Sequence, residues 1–317
     1  MVSKWSVSDI PDQAGKTVII TGGNSGIGYE AARALAAKGA RVILAVRSVD
    51  KGEQAAASIR QETPKAAVEV MALDLADQAS VRSFAEAFLA RGEALPILVN
   101  NAGVMALPYH TTADGFEVHF GTNHLGHYAL TGLLLPAIMA APGARVVTVS
   151  SSLHTRGRVN FDNLDGKDSY SEWGAYSQSK LANLLFAYEL QRRFAANQVD
   201  AISVGCHPGY AATNLQHAGP RMSGSRLRAA FMSVGNRLFA QSAAMGALPT
   251  LYAATAPDVN GCDYIGPTGM GGSRGYPDKV SSNAASYDEA LAKRLWQVSE
   301  GMTGVHYDFH VPEAVTH

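Results

Sequence analysis

Thr17-Val18-Ile19-Ile20-Thr21-Gly22-Gly23-Asn24-Ser25-Gly26-Ile27-Gly28-Tyr29-Glu30-Ala31-Ala32 joins a β-branched apolar run to a helix-forming run through a glycine-rich turn. A strand, a tight turn and a helix N-terminus in that order present backbone N–H groups and a positive dipole end to a pyrophosphate. Glycines let the ligand approach the backbone closely. Any tight turn uses glycine for positive φ, so the glycines alone decide little; the strand before and the helix after favour the nucleotide reading.

Outward from this turn the chain alternates. Short apolar runs at 17–21, 41–46, 68–73, 95–100, 145–150 and 200–205 read as strands, and 27–38, 51–61, 80–91 and 176–194 carry helical patterns between them. Repeated β-then-α order predicts an α/β fold: a single-domain Rossmann-type doubly wound parallel sheet flanked by helices, spanning 1–317 without linker or repeat. One segment breaks the rhythm. Residues 214–245 contain Arg221, Arg226, Arg228 and Arg237, no acidic residue, and apolar Phe231 and Met232. They read as a solvated basic surface helix, as a substrate-covering insertion, or as a peripheral membrane contact.

Twenty-six Lys plus Arg against 27 Asp plus Glu leave a net charge of −1, which argues against nucleic acid and acidic membranes as partners. A small molecule is the expected partner, and a homo-oligomeric state is allowed. Cys206 and Cys262 match no metal spacing and suit a reducing compartment, so a cytoplasmic location is expected. The first 15 residues lack a basic and apolar leader pattern and are expected to stay on the protein. No apolar run is long enough for a transmembrane segment.

Gly22, Gly26 and Gly28 are spaced G-x-x-x-G-x-G, and further groups follow in order: Asp74-Leu75, Asn100-Asn101-Ala102-Gly103, Ser151, Tyr176-x-x-x-Lys180, then Pro208-Gly209 with Thr213. This set resembles the short-chain dehydrogenase/reductase family. Thr122-Asn123-His124-Leu125-Gly126-His127, Val149-Ser150-Ser151 and the run from Tyr176 to Asn183 resemble its retinol dehydrogenase and WW-domain oxidoreductase branch, together with similar bacterial oxidoreductases. The resemblance implies an alcohol dehydrogenase or carbonyl reductase with a nicotinamide cofactor. It implies a cofactor site of Gly22, Asn24, Ser25, Gly26, Ile27, Gly28, Arg47, Ser48, Asp74, Leu75, Asn101, Ala102, Gly103, Tyr176, Lys180, Pro208, Gly209 and Thr213. It further implies that Tyr176 exchanges a proton with the substrate oxygen, Ser151 hydrogen-bonds that oxygen, Lys180 binds the nicotinamide ribose, and Asn123 helps hold a relay water. The residue after strand two decides the cofactor. Val46 stands where NAD enzymes place an acid, and Arg47 follows with a guanidinium fork suited to a phosphate dianion, so NADP(H) is preferred and NAD(H) is the alternative.

Tyr176 and Lys180 are four residues apart and share a helix face; the ammonium is expected to favour the phenolate and lower the tyrosine pKa. Strand alternation lets Ser151 face the site only if Ser150 does not. Gly271-Gly272-Ser273-Arg274-Gly275, with Asp288 and His306, matches a hydrolase pattern. It lacks the flanking strand and helix that a nucleophile elbow needs, so it reads as a loop at the substrate mouth or a glycine-rich turn. His119, His124 and His127 read as packed or solvated rather than metal-bound. A non-catalytic nucleotide sensor or scaffold is the rival function, and the intact Ser151, Tyr176 and Lys180 argue against it. Around 153–173 and 214–245, Phe161, Tyr170, Trp173, Phe231 and Met232 suit a lipophilic retinoid-, steroid- or fatty-aldehyde-like substrate, or else they cover the core.

Overall fold

The computed structural model describes residues 4–210 and 241–310. Its centre is one eight-stranded sheet in the order β3-β2-β1-β4-β5-β6-β7-β8. The strands are β1 Thr17–Thr21, β2 Arg41–Val46, β3 Val68–Ala72, β4 Ile97–Asn100, β5 Ala144–Val149, β6 Ala201–Cys206, β7 Tyr264–Gly269 and β8 Arg274–Lys279. Strands β1 to β7 pair in parallel, and β8 closes the edge antiparallel to β7. The helices are α1 Gly26–Ala37, α2 Val49–Glu62, α3 Gln78–Leu89, α4 Gly126–Leu133, α5 Leu135–Met139, α6 Glu172–Ala196, α7 Ala243–Thr255 and α8 Glu289–Thr303.

Side-chain alternation along the central strands sorts the core into two layers. Val18, Ile20, Val42 and Leu44 face α1, α2 and α7, where Leu35, Ile59 and Leu251 meet them. Ile19, Ile43 and Leu98 face the opposite side, with Phe84 of α3, Tyr128 of α4, Phe186 of α6 and Trp296 of α8. Burial on both faces is why β1 and β2 read as unbroken apolar runs. Strand order reverses between β1 and β4, and the crevice beyond their carboxyl ends is where a sheet of this kind takes its ligand.

Three sequence expectations change. The sheet is parallel except at one edge, where β8 runs antiparallel to β7, and the glycine cluster at 271–275, read as a loop or a glycine-rich turn, is the turn and start of that hairpin. Pro267 lies opposite Pro277 there, so neither can donate to the other, and the edge position tolerates both. Helix α6 starts at Glu172, where the Ser171 side chain accepts the Gly174 N–H, so Tyr176 and Lys180 sit past its first turn instead of opening it. Of 214–245, residues 214–240 lie outside the described residues, as does Thr213. Ser242 caps α7 through Met245 N–H at 3.2 Å, which makes 243–245 the first turn of a core helix.

His119, His124 and His127 are all buried, around the π-helical turn Phe120–Leu125 and the start of α4. Among the described residues no helix is long and apolar enough to cross a membrane.

Candidate active site

At the end of β1 the chain turns through Gly22, at φ +67°, and enters α1 at Gly26. Packing against the exit of β4 fixes this turn. Thr21 Oγ1 accepts the N–H groups of Asn101 and Ala102, each at 2.9 Å, and Asn101 Nδ2 donates to Thr21 O at 2.8 Å. A Cβ at Gly28 would stand 2.5 Å from Asn101 Nδ2 and 2.6 Å from Gly22 O, so only glycine fits the crossing.

A cavity of about 780 Å³ opens from this turn across the switch point. Every expected cofactor residue within the described residues lines it except Ser48. Ser48 instead precedes α2, where its carbonyl accepts Gly52 N–H at 3.0 Å, and this turns it away from the cavity wall. Arg47 lines the wall, is exposed, and makes no hydrogen bond or ion pair among the described residues. The wall also includes Val104, Met105 and Tyr210 from irregular segments and Arg156 from the end of the short 3-10 helix Ser152–Arg156, none of them with a periodic signal in the sequence.

Ser151, Tyr176 and Lys180 converge on the same cavity. Ser150 donates its hydroxyl to Lys180 O at 2.7 Å, which leaves Ser151 on the open side as strand alternation requires. The Ser151 hydroxyl accepts Leu153 N–H at 3.2 Å and acts on the Tyr176 hydroxyl as a polar neighbour. His154 Nδ1 lies 2.7 Å from Ser151 O and supports the serine from below. Burial pushes the Tyr176 pKa above its ordinary value, and the Ser151 hydroxyl only partly opposes this. The direction is opposite to the sequence expectation. Lys180 Nζ sits 5.8 Å from the Tyr176 ring centroid and donates to Val149 O at 3.1 Å, and burial brings its own pKa down to about 8. Desolvation is the largest cause of both shifts.

Asn123 lies just behind this wall rather than on it. Its Oδ1 accepts Val104 N–H at 2.7 Å, and its Nδ2 donates to Val104 O and to Ser179 Oγ, both at 2.9 Å. The side chain thereby clips the loop after β4 to α6. Both amide hydrogens are committed, so a water at this residue would be taken by its carbonyl.

The cavity fits a nicotinamide dinucleotide. The glycine crossing leaves α1 open toward it, and the Thr122 hydroxyl on its wall is buried without a hydrogen-bond partner. Gln241 is buried, donates Nε2–H to Pro208 O at 2.7 Å and its backbone N–H to Tyr210 O at 2.8 Å, and accepts Gly275 N–H at 3.1 Å.

The comparisons agree with this geometry. The family model for short chain dehydrogenases matches residues 16–223. Retinol dehydrogenase 12 of Mus musculus is 43% identical over 294 residues, covering 93% of this chain and 88% of that protein. Retinol dehydrogenase 11 of Homo sapiens is 42% identical over 308 residues, covering 97% and 92%. A solved structure from Mycobacterium Paratuberculosis is 43% identical with a TM-score of 0.80, covering 96% of this chain and 100% of that one. The chain belongs to the short-chain dehydrogenase family, as an oxidoreductase of its retinol dehydrogenase-like branch.

Proposed function

We propose that the protein transfers hydride between NADP(H) and a lipophilic alcohol or carbonyl of retinoid-, steroid- or fatty-aldehyde type. The convergence of Ser151, Tyr176 and Lys180 on the cavity that the glycine turn opens carries this reading. When bound, the nicotinamide supplies or accepts the hydride. The N–H groups at the start of α1 bind the pyrophosphate, and Arg47 holds the 2′-phosphate of the adenosine ribose. Ser151 and Tyr176 hydrogen-bond the substrate oxygen and orient its carbon. In the reductive direction Tyr176 gives its hydroxyl proton to that oxygen, and the Lys180 ammonium stabilises the phenolate that remains. Met105, Leu153 and Trp173 offer apolar surface to the rest of the substrate, beside Arg156 at the rim.

Arg47→Ala tests the cofactor preference. Loss of a charged contact worth about 1.5–3 kcal/mol should weaken NADPH binding while NADH binding stays near wild type. Equal losses for the two cofactors in a fluorescence titration would remove Arg47 as the phosphate reader.

The pH dependence follows from the two shifts. Tyr176 is pushed up and keeps its proton, so Lys180 is the first of the pair to change state, as pH rises through about 8. For carbonyl reduction the charged lysine is the active form, and kcat/KM reports the free enzyme; it should be level below that pH and fall by roughly tenfold per unit above it. A profile flat to about pH 10 would detach the Lys180 charge from catalysis.

A further inference from the structure

Thr21 connects the cofactor turn to a residue that the proposed chemistry leaves unused. A hydroxyl has two lone pairs and one hydrogen. At Thr21 both lone pairs are taken by the N–H groups of Asn101 and Ala102, each at 2.9 Å. The hydrogen must therefore be donated. His127 Nε2 lies at 2.9 Å, against 3.4 Å for Val99 O. Nε2 is thus the acceptor, and the hydrogen of the neutral ring sits on Nδ1, which donates to Asn123 O at 2.9 Å. The alternative tautomer and the imidazolium would both aim an N–H at an oxygen with no lone pair left.

The surroundings agree with this assignment. His127 is 1% exposed. Burial holds its pKa down to about 4; the bond to Asn123 opposes the shift, and the Lys180 ammonium reinforces it. Neighbouring His124 is also buried and has its pKa held down to about 3, first by burial and then by His127, so it brings no charge to the pair in the ordinary range. Asn123 itself lies in the π-helical turn, a widened geometry that often marks a functional site.

We propose that His127 is a positioning residue. As the neutral Nδ1–H tautomer it runs one hydrogen-bonded line from the Asn101–Ala102 backbone on the cofactor wall, through the Thr21 hydroxyl, to the carbonyl of Asn123. Asn123 in turn clips the loop at Val104 and, through Ser179, the helix that carries Tyr176 and Lys180. The line therefore keeps the cofactor wall and the proton-transfer residues in one register. This rests on the reading of the cavity as a nicotinamide site.

Two arms test it separately. In the unliganded wild-type protein carrying nitrogen-15 histidine, the His127 signals are assigned by their absence from the His127→Gln spectrum. They should show a protonated Nδ1 and a bare Nε2, with no titration from about pH 5.5 to 8. A protonated Nε2 or an imidazolium in that window overturns the proposal, whatever the cofactor result. In the kinetic arm, with NADPH and a lipophilic aldehyde, His127→Leu should lower kcat by about 10- to 100-fold and leave KM nearly unchanged. His127→Gln, whose amide keeps an N–H donor for the Asn123 carbonyl and an oxygen acceptor for the Thr21 hydroxyl, should recover most of that loss. No loss in the leucine variant, or equal losses in both, overturns the proposal. Should the leucine variant fail to fold, Thr21→Ser against Thr21→Val gives the same contrast, with the hydroxyl kept in one and removed in the other. A wild-type protein that does not bind NADPH would sink the nicotinamide reading, and the tautomer measurement would still decide the hydrogen-bonded line.

Discussion

Tyr176→Phe should bind NADPH with nearly the wild-type Kd and lose about 100- to 10,000-fold in turnover of a carbonyl substrate. The ring stays where it is, because its packing is made by carbon: the Trp173 and His119 rings lie edge-on with centroids 6.3 Å away in each case. Only the hydroxyl leaves, and with it the proton donor and the polar neighbour of Ser151. Ser151 keeps its bond to Leu153 N–H, so its loop has a hold of its own. Cofactor fluorescence and single-turnover absorbance at the reduced nicotinamide band separate the two quantities. Wild-type turnover in this variant would refute the assignment of Tyr176 as the acid, and a large loss of NADPH affinity would mean that the hydroxyl serves binding rather than proton transfer.

Gly28→Ala should abolish high-affinity cofactor binding and destabilise the fold. The added methyl would meet Asn101 Nδ2 at 2.5 Å and Gly22 O at 2.6 Å, both belonging to the crossing that holds the glycine turn against the end of β4. Neither atom is the far end of a long side chain, so the backbone must give, at about 1–3 kcal/mol. Whatever movement relieves the clash shifts the N–H groups that would face the pyrophosphate. The matched control is Gly301→Ala in α8, where an added Cβ meets nothing within 4 Å. Replacing glycine in an exposed helix should raise stability by about 0.5–1 kcal/mol and leave the cofactor untouched. Thermal unfolding and NADPH titration of the two variants should move in opposite directions for stability and diverge for binding; similar curves would refute the crowding argument at Gly28.

What could be read before the structure was known follows from where each signal comes from. β1 and β2 were legible because both faces are buried and, apart from Arg41 at the entry of β2, every residue is apolar or β-branched. The β7–β8 hairpin was not, since Gly266, Pro267, Gly269 and Gly275 look like loop residues. Its place at the edge comes from pairing with β6 and from the packing of Tyr264, which are contacts between distant segments. At the site, spacing brought out Gly28, Ser151 and the Tyr176–Lys180 pair. It could not report burial, which reversed the expected direction of the Tyr176 shift. Ser48, part of the cofactor site that the resemblance implies, is one residue past Arg47 and already turning into α2. Met105 and Tyr210 reach the cavity from irregular backbone, where no period marks a buried face, and Arg156 from a 3-10 turn of five residues, too short to show one.

Tyr210 and Gln241 are thirty-one positions apart in sequence yet share a backbone hydrogen bond, while the Gln241 side chain grips Pro208 on one side and Gly275 on the other. One amide side chain is thus a rivet through three segments: the exit of β6, the approach to α7 and the start of β8. Each of its two side-chain bonds satisfies a backbone group that has its own job, since Pro208 lines the cofactor cavity and Gly275 stands near the start of the edge strand. Drawing the rivet would therefore loosen the cavity wall and the sheet edge at one stroke, although Gln241 itself touches neither the glycine turn nor the proton-transfer residues.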